Sequence, residues 1–347
     1  MKALVLEAYN HFVYRDVEMP VPGPGEVRVK VMACSVCGSD VKGMDGSTGR
    51  RQPPIIMGHE ASGVIESVGQ NVTGFQPGDR VTFDSTIYCN ECEMCRKGMV
   101  NLCDHREVIG VSCDDYRHHG AMAEFVVVPE YVLYRLPDSV TFRQASMVEP
   151  MSVAYHGVTR CEVPVGGTAM VVGVGTIGLF AVQILKSLGV SKVIAVDISD
   201  RRLDMARKNG ADAGIDSRDP QAEAQILALT DGKGVDAAYD ATGIESTVLM
   251  CIRMTRVNGS VVLIGNIAQD MHFPLQYVVT HQLSLFGSCA SAGEYDRCLE
   301  LIAAGKVNVD AMISGSFPLS EGDKWMHKVY NREDGLDKIL LLPWENA

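Results

Sequence analysis

Two hydrophobic rhythms divide the chain. Through about the first 150 residues, apolar positions come in short runs broken by polar ones. Val27, Val29 and Val31 alternate with Arg28 and Lys30, the period of a half-buried strand, after a turn rich in Pro20, Pro22, Gly23, Pro24 and Gly25. More short strands are expected between the breaks at Gly63, Gly69, Pro77-Gly78-Asp79 and Pro129, with Met122 to Val128 among them. Many short strands with close turns predict a small barrel or sandwich.

After Glu149-Pro150 the rhythm changes. A helix is expected over Met151 to Arg160, and then buried-strand runs alternate with helical periods. The strands fall at Ala169 to Val172, Lys192 to Val196, Ala213 to Ile215, Val235 to Asp240, Ser260 to Ile264 and Leu283 to Phe286. The helices run from the glycine turn through Leu188, then over Arg201 to Asn209, Ala222 to Leu229 and Ser246 to Arg256. Six strands with intervening helices predict a doubly wound parallel sheet. The last segment, 288–347, adds a helix over Tyr295 to Ala304 and a strand at Ile339 to Leu342, and is expected to pack back on the first domain.

The stretch Ala169 to Asp197 carries the most specific signal of the second half. A strand breaks into Gly173-Val174-Gly175-Thr176-Ile177-Gly178 and a helix follows. Glycines at the first, third and sixth positions allow a sharp turn, close approach of a pyrophosphate and tight helix packing, with the phosphates on the free N–H groups at the helix start. A second strand ends in Asp197, nineteen residues beyond Gly178. A carboxylate at that spacing suits ribose hydroxyls and repels a 2′-phosphate, so NAD is favoured over NADP. Ala169 to Leu185 carries no charge, but seventeen residues interrupted by three glycines make a poor membrane span.

Composition narrows the classes. With 347 residues the chain suits two domains, and 46% hydrophobic with 21% charged residues supplies a sizeable core. The net charge of −12 argues against nucleic acid or an anionic membrane as partner. No basic-then-apolar leader precedes Met1-Lys2-Ala3, so a cytoplasmic protein is expected. Eleven cysteines, an odd number without an export signal, do not read as a disulfide framework.

A clustered subset of them reads as a metal site. Cys89, Cys92, Cys95 and Cys103 place four thiols within fifteen residues, which suits closed, structural zinc ligation. An iron–sulfur cluster of ferredoxin type would bring its fourth cysteine after a gap of three residues and before a proline, whereas here the gap is seven and Asp104 follows. Cys37, the His59-Glu60 pair and Glu149 form a scattered second set whose spacing alone leaves core and ligand roles open. Cys34 makes a C-x-x-C pair with Cys37 but sits among strand residues and reads as core. His118-His119 reads as solvent-facing.

Taken together, Cys37-Gly38-Ser39-Asp40, Gly58-His59-Glu60-Ala61-Ser62-Gly63, Pro77-Gly78-Asp79-Arg80-Val81, the four-cysteine lobe, Glu149-Pro150 and the glycine turn resemble the zinc-dependent medium-chain alcohol dehydrogenases, over nearly the whole chain. The resemblance implies an α/β fold plus a β-rich part: a GroES-like catalytic domain over 1–154 with its structural-zinc lobe at about 86–105, a Rossmann NAD-binding domain over 155–287, and the C-terminal segment 288–347. It implies two zinc ions, one catalytic on Cys37, His59 and Glu149 with Glu60 able to exchange in, and one structural on Cys89, Cys92, Cys95 and Cys103. It also implies NAD contacts from Ile177, Asp197, Arg202 and the Ile264-Gly265-Asn266 turn, and a homodimer or homotetramer.

Within the family, glutamate at the third ligand position is similar to the polyol branch, which includes sorbitol, threonine and galactitol-phosphate dehydrogenases. The threonine branch usually has a histidine shortly before the first lobe cysteine, and Phe83 to Tyr88 contains none. A polyol or polyol phosphate is therefore the expected substrate, with L-threonine, a simple alcohol, or a non-catalytic dinucleotide sensor as alternatives. By the resemblance Ser39 takes the alcohol proton and Asp40 orients His59, while Lys42 stands where a relay histidine is common. Arg50 and Arg51, near the metal-binding segment, are expected either to hold a substrate phosphate or to lie in a solvated loop.

Overall fold

A computed structural model describes residues 1–333 and 335–345. Residue 334 and the last two positions of the expected C-terminal segment lie outside the described residues. The chain folds as two compact units. One comprises Met1–Glu149, Tyr295–Ala303 and Val309–Ala347, the other Pro150–Glu294 and Ala304–Asn308. The division thus falls at Glu149/Pro150 rather than after 154, and it splits the segment 288–347 between the units. Two local bonds explain the second difference. His156 Nδ1 pairs with Glu294 at 2.6 Å, and Asn308 N–H donates to Gln183 at 2.7 Å, so both pieces are tied to residues of the second unit.

The first unit is built on β-sheets, one of seven strands and one of three. The long strand Glu26–Ser35 lies at the centre of the larger sheet. Its alternating burial places Val27, Val29 and Val31 inside. It pairs antiparallel with Glu60–Val68 on one side and with Ile339–Leu342 on the other. The expected strand near 122–128 is observed at Phe125–Pro129. The core combines Leu4, Leu6, Val29, Phe83 and Met122 with Ile339 and Leu341 from the chain's end.

The second unit holds a six-stranded sheet, all of whose pairs are parallel. Its strands are β1 (Thr168–Val172), β2 (Lys192–Asp197), β3 (Ala213–Asp216), β4 (Val235–Asp240), β5 (Thr255–Leu263) and β6 (Ser284–Gly287). Their spatial order is 3-2-1-4-5-6, with the chain reversing direction across the sheet between β1 and β4. Thr176–Ser187, Asp200–Lys208, Ala222–Leu229 and Glu245–Met254 fall within two residues of their expected places. The helix expected over Met151 to Arg160 runs over Val148–Val158, and the short helix Leu275–Thr280 has no counterpart among the expected elements. The largest shift concerns β5, which starts at Thr255 directly after the helix Glu245–Met254. β-branched Thr255 and Val257 favour extended backbone. A register jump then follows, with Asn258 at φ 62° absorbing it before Ser260 pairs with Ala237. No helix among the described residues is long and apolar enough to cross a membrane.

Candidate metal centres and nucleotide turn

The ends of three neighbouring strands assemble the first site. Where Glu26–Ser35 stops, Cys37 caps the short helix Gly38–Gly43, its sulfur accepting from Ser39 N–H at 3.4 Å and from the Ser39 hydroxyl at 3.2 Å. His59 precedes the strand Glu60–Val68, reached through Gly58 at φ 93°. A side chain at Gly58 would be strained there, and its Cβ would lie 2.7 Å from the Cys34 sulfur. The antiparallel register sets Glu60 opposite Ser35 and Ser35 beside Leu340. Cys34 itself is fully buried core.

Ligating atoms of Cys37, His59 and Glu60 lie within 4.8 Å of one another. Glu149 is outside that group although it lies half-buried close by, with Ser85 donating to its Oε1 at 3.3 Å. Burial, reinforced by the charges of Glu60 and Asp84 against those of His59 and Lys338, pushes the Glu149 carboxyl up to about 7. Burial opposes the charge on His59, but Asp40 and Cys37 outweigh it and make the ring hold its proton well above the imidazole range. Burial likewise opposes the Asp40 charge, and His59 and Arg51 overcome it, holding this carboxyl well below the carboxylate range.

Two buried cations complete the surroundings; the sequence pattern marks Arg51 only as a phosphate clamp or loop residue, and Lys338 not at all. Lys338 is 3% exposed and grips Glu60 Oε2, which Ser35 also reaches, while its ammonium also donates to the Val36 carbonyl at 3.0 Å. A lone lysine before an apolar strand carries no signal, and only the strand register shows where it points. Arg51 is likewise 3% exposed. Its Nε and Nη2 both donate to Asp40 Oδ1, at 3.0 and 2.8 Å. Neither the solvated loop nor the phosphate clamp therefore describes Arg51: its fork is committed to a buried carboxylate. Arg50 is exposed, as is Lys42. His118 pairs with Glu107, and His119 accepts from Ile56 N–H at 3.3 Å.

The second site is the four-cysteine lobe. Cys92 caps the helical turn Glu93–Arg96, and a 3-10 turn over Val100–Leu102 returns the chain to Cys103. All four sulfurs lie within 4.8 Å of one another. The sulfur of Cys89 is 3.9 Å from that of Cys95 and 3.6 Å from that of Cys103. These separations are too long for disulfides and match the ~3.8 Å that tetrahedral zinc with bonds of about 2.3 Å requires. Backbone N–H groups of Cys89, Cys92, Cys95 and His105 each donate to a sulfur of the set. Donors from Cys95 and Asp104 bring the Cys92 thiol down to about 6, towards the thiolate that a metal needs.

In the second unit, the turn after β1 meets the ends of β2 and β4. Gly173 stands at φ 85°, and a Cβ on Gly178 would lie 1.9 Å from the Gly173 carbonyl oxygen. A Cβ on Gly175 would meet no atom within 4 Å. The turn residues Gly173, Gly175, Thr176 and Ile177 are half-exposed. Asp197 is tied into the turn, accepting from Val174 N–H at 2.9 Å and from Ser199 N–H at 3.0 Å, with Arg202 at 4.0 Å. Ile264 and Gly265 follow β5 and donate to the Asp240 carbonyl at 2.9 and 3.0 Å, with exposed Asn266 next.

Comparison with known proteins agrees with both halves. Residues 23–138 match the alcohol dehydrogenase GroES-like domain, and residues 176–304 match the zinc-binding dehydrogenase domain. The chain belongs to the zinc-binding alcohol dehydrogenases. As a member of that family it is an oxidoreductase, with a GroES-like part and a Rossmann part. It is 33% identical to sorbitol dehydrogenase of Halalkalibacterium halodurans, over 99% of each chain. To D-xylulose reductase A of Aspergillus niger it is 34% identical, over 94% of this chain and 93% of the relative. Among solved structures, galactitol-1-phosphate dehydrogenase from Escherichia coli superposes with a TM-score of 0.91 at 26% identity, covering 99% of this chain and 100% of the other.

Proposed function

We propose that this dehydrogenase oxidises a secondary hydroxyl of a polyol or polyol phosphate, with NAD as hydride acceptor. The observation that carries the reading is the convergence of Cys37, His59 and Glu60, with Glu149 half-buried nearby. One sulfur, one ring nitrogen and carboxylate oxygens form a donor set that zinc takes, and fewer than four protein ligands suits a catalytic site. In this reading His59 ligates through Nε2, since Nδ1 faces Asp40 Oδ2 at 3.4 Å. Glu60 is the carboxylate within reach in this arrangement, and Glu149 is the alternate. The four thiols of Cys89, Cys92, Cys95 and Cys103 hold a second, structural zinc.

Zinc supplies Lewis acidity when bound, and the nicotinamide supplies the hydride acceptor. The chain's own residues do the rest. Oxidation removes a hydride from the carbinol carbon and a proton from its oxygen, and Ser39 Oγ takes that proton. Its exposed position lets the proton pass outward without a histidine at Lys42. Asp40 stays ionised and fixes the His59 ring. Gly173, Gly175, Thr176 and Gly178 cradle the pyrophosphate, and Asp197, held by two backbone N–H groups, presents its remaining lone pairs to the ribose. Ile177, Arg202, Ile264, Gly265 and Asn266 border the same nucleotide.

The relatives named for sorbitol, xylulose and galactitol 1-phosphate support a polyhydroxylated substrate. NADH formation should be measured with sorbitol, xylitol, galactitol 1-phosphate, L-threonine and ethanol, using NAD and NADP in parallel. Turnover of a polyol with NAD is expected, and turnover confined to ethanol or L-threonine would overturn the assignment.

A further inference from the structure

Arg51 touches the supports of two proposed ligands at once. Its Nε and Nη2 close on Asp40 Oδ1, which leaves Oδ2 for His59 Nδ1 at 3.4 Å. The same Nη2 lies 3.4 Å from Ser39 Oγ, the hydroxyl that donates to the Cys37 sulfur. Arg51, Asp40 and His59 side chains are at most 7% exposed, which shields the Arg51–Asp40 bonds and the Asp40–His59 approach from water, while Ser39 stands at the exposed end of the set. Arg51 is itself held through its guanidinium and through its backbone. Nη1 donates to the Arg50 carbonyl at 2.9 Å, and the Arg51 backbone bridges to Ser112. Gly43 leaves the space through which its stem runs, because a Cβ there would lie 2.4 Å from Arg51 Cγ.

We infer that Arg51 is a positioning residue for the catalytic metal, orienting His59 through Asp40 and Cys37 through Ser39. A planar fork reaches both Asp40 and Ser39, while an ammonium group on a flexible stem is a point charge without the fork's fixed geometry. The inference rests on the ligand set proposed above. It also separates Arg51 from its exposed neighbour Arg50, which the sequence pairs with it.

The four-cysteine zinc serves as an internal control. Wild type, Arg51→Gln and Arg51→Lys are loaded with zinc, counted by elemental analysis and transferred to a chromogenic chelator while release is followed. Supports of this kind typically tune metal affinity by about 10- to 100-fold. Arg51→Gln should therefore lose one zinc roughly 10- to 100-fold faster, with the thiolate-bound zinc leaving at the wild-type rate. Its kcat should fall with little change in the KM for NAD. Arg51→Lys keeps the charge and separates positioning from charge balance. Accelerated release of the same single zinc supports the inference, and wild-type release from a folded Arg51→Lys overturns it, even where Arg51→Gln does not fold. Equal acceleration of both zincs also overturns it, since that is general loosening. A wild type binding only one zinc would instead defeat the proposed ligand set.

Discussion

Glu60 is a buried carboxylate whose ionic partner, Lys338, lies almost three hundred positions away in sequence. Taking one partner away leaves the other charge in a poor solvent, which costs about 3–5 kcal/mol when the pair is buried. Lys338→Met should lower unfolding stability by roughly that amount, and adding Glu60→Gln should return much of it. Denaturant unfolding of the single and double variants checks this; a Lys338→Met variant within about 0.5 kcal/mol of wild type would contradict it. At this scale, legibility in the sequence followed motif density. Four cysteines within fifteen residues announce a site by themselves. Cys37 and His59 become readable only through their neighbours' resemblance to a family. Lys338 stayed hidden and Arg51 was legible only as a phosphate clamp or loop residue, because long charged side chains normally reach solvent and nothing in their local sequence says that these two do not.

Among the elements, the glycine turn separates folding from cofactor binding. Gly178→Ala drives a Cβ against the Gly173 carbonyl, a backbone atom that cannot swing aside, and should cost about 1–3 kcal/mol of stability. Gly175→Ala meets nothing in the protein, so its melting temperature should stay near wild type while the KM for NAD rises. Thermal unfolding and steady-state kinetics on the pair test this, and unchanged NAD kinetics in Gly175→Ala would argue against a pyrophosphate there. A second test uses the His156–Glu294 pair. Burial raises the Glu294 carboxyl, but the hydrogen bond and charge of His156, with the backbone N–H groups of Ala292 and Glu294, together outweigh it and leave the group below its ordinary value. A carboxyl lowered on folding stabilises above its unfolded pKa of about 4.3 and loses that contribution as pH falls through the folded value. The stability gap between wild type and Glu294→Gln should therefore be full near neutrality and shrink in acid, as read from unfolding at several pH values. A gap that widens in acid would contradict the sign. Strand and helix order in this unit was legible because apolar runs and 3.6-residue periods alternate cleanly. The start of β5 was not, since a β-branched extension after a helix looks like one more helical turn.

For the whole molecule, the family resemblance implies a homodimer or homotetramer, and one side of the parallel sheet offers a face on which to test it. β6 forms its edge, and Leu275 and Val279, on the short helix just before it, are 63% and 66% exposed. An open strand edge beside exposed apolar side chains suits a second copy of the chain. Leu275→Glu with Val279→Glu should reduce the mass in solution, as light scattering would show, and an unchanged mass would remove this face from consideration. The division of labour is likewise a property of the whole chain: one unit carries both candidate metal centres, and the other carries the glycine turn. Its most direct test is zinc K-edge absorption on the fully loaded protein. Two sites, one with four sulfurs and one with a single sulfur plus nitrogen and oxygen, predict an average of roughly 2.5 sulfurs per zinc at about two zincs per chain. Four sulfurs per zinc at a single equivalent would contradict the catalytic centre on Cys37 and His59.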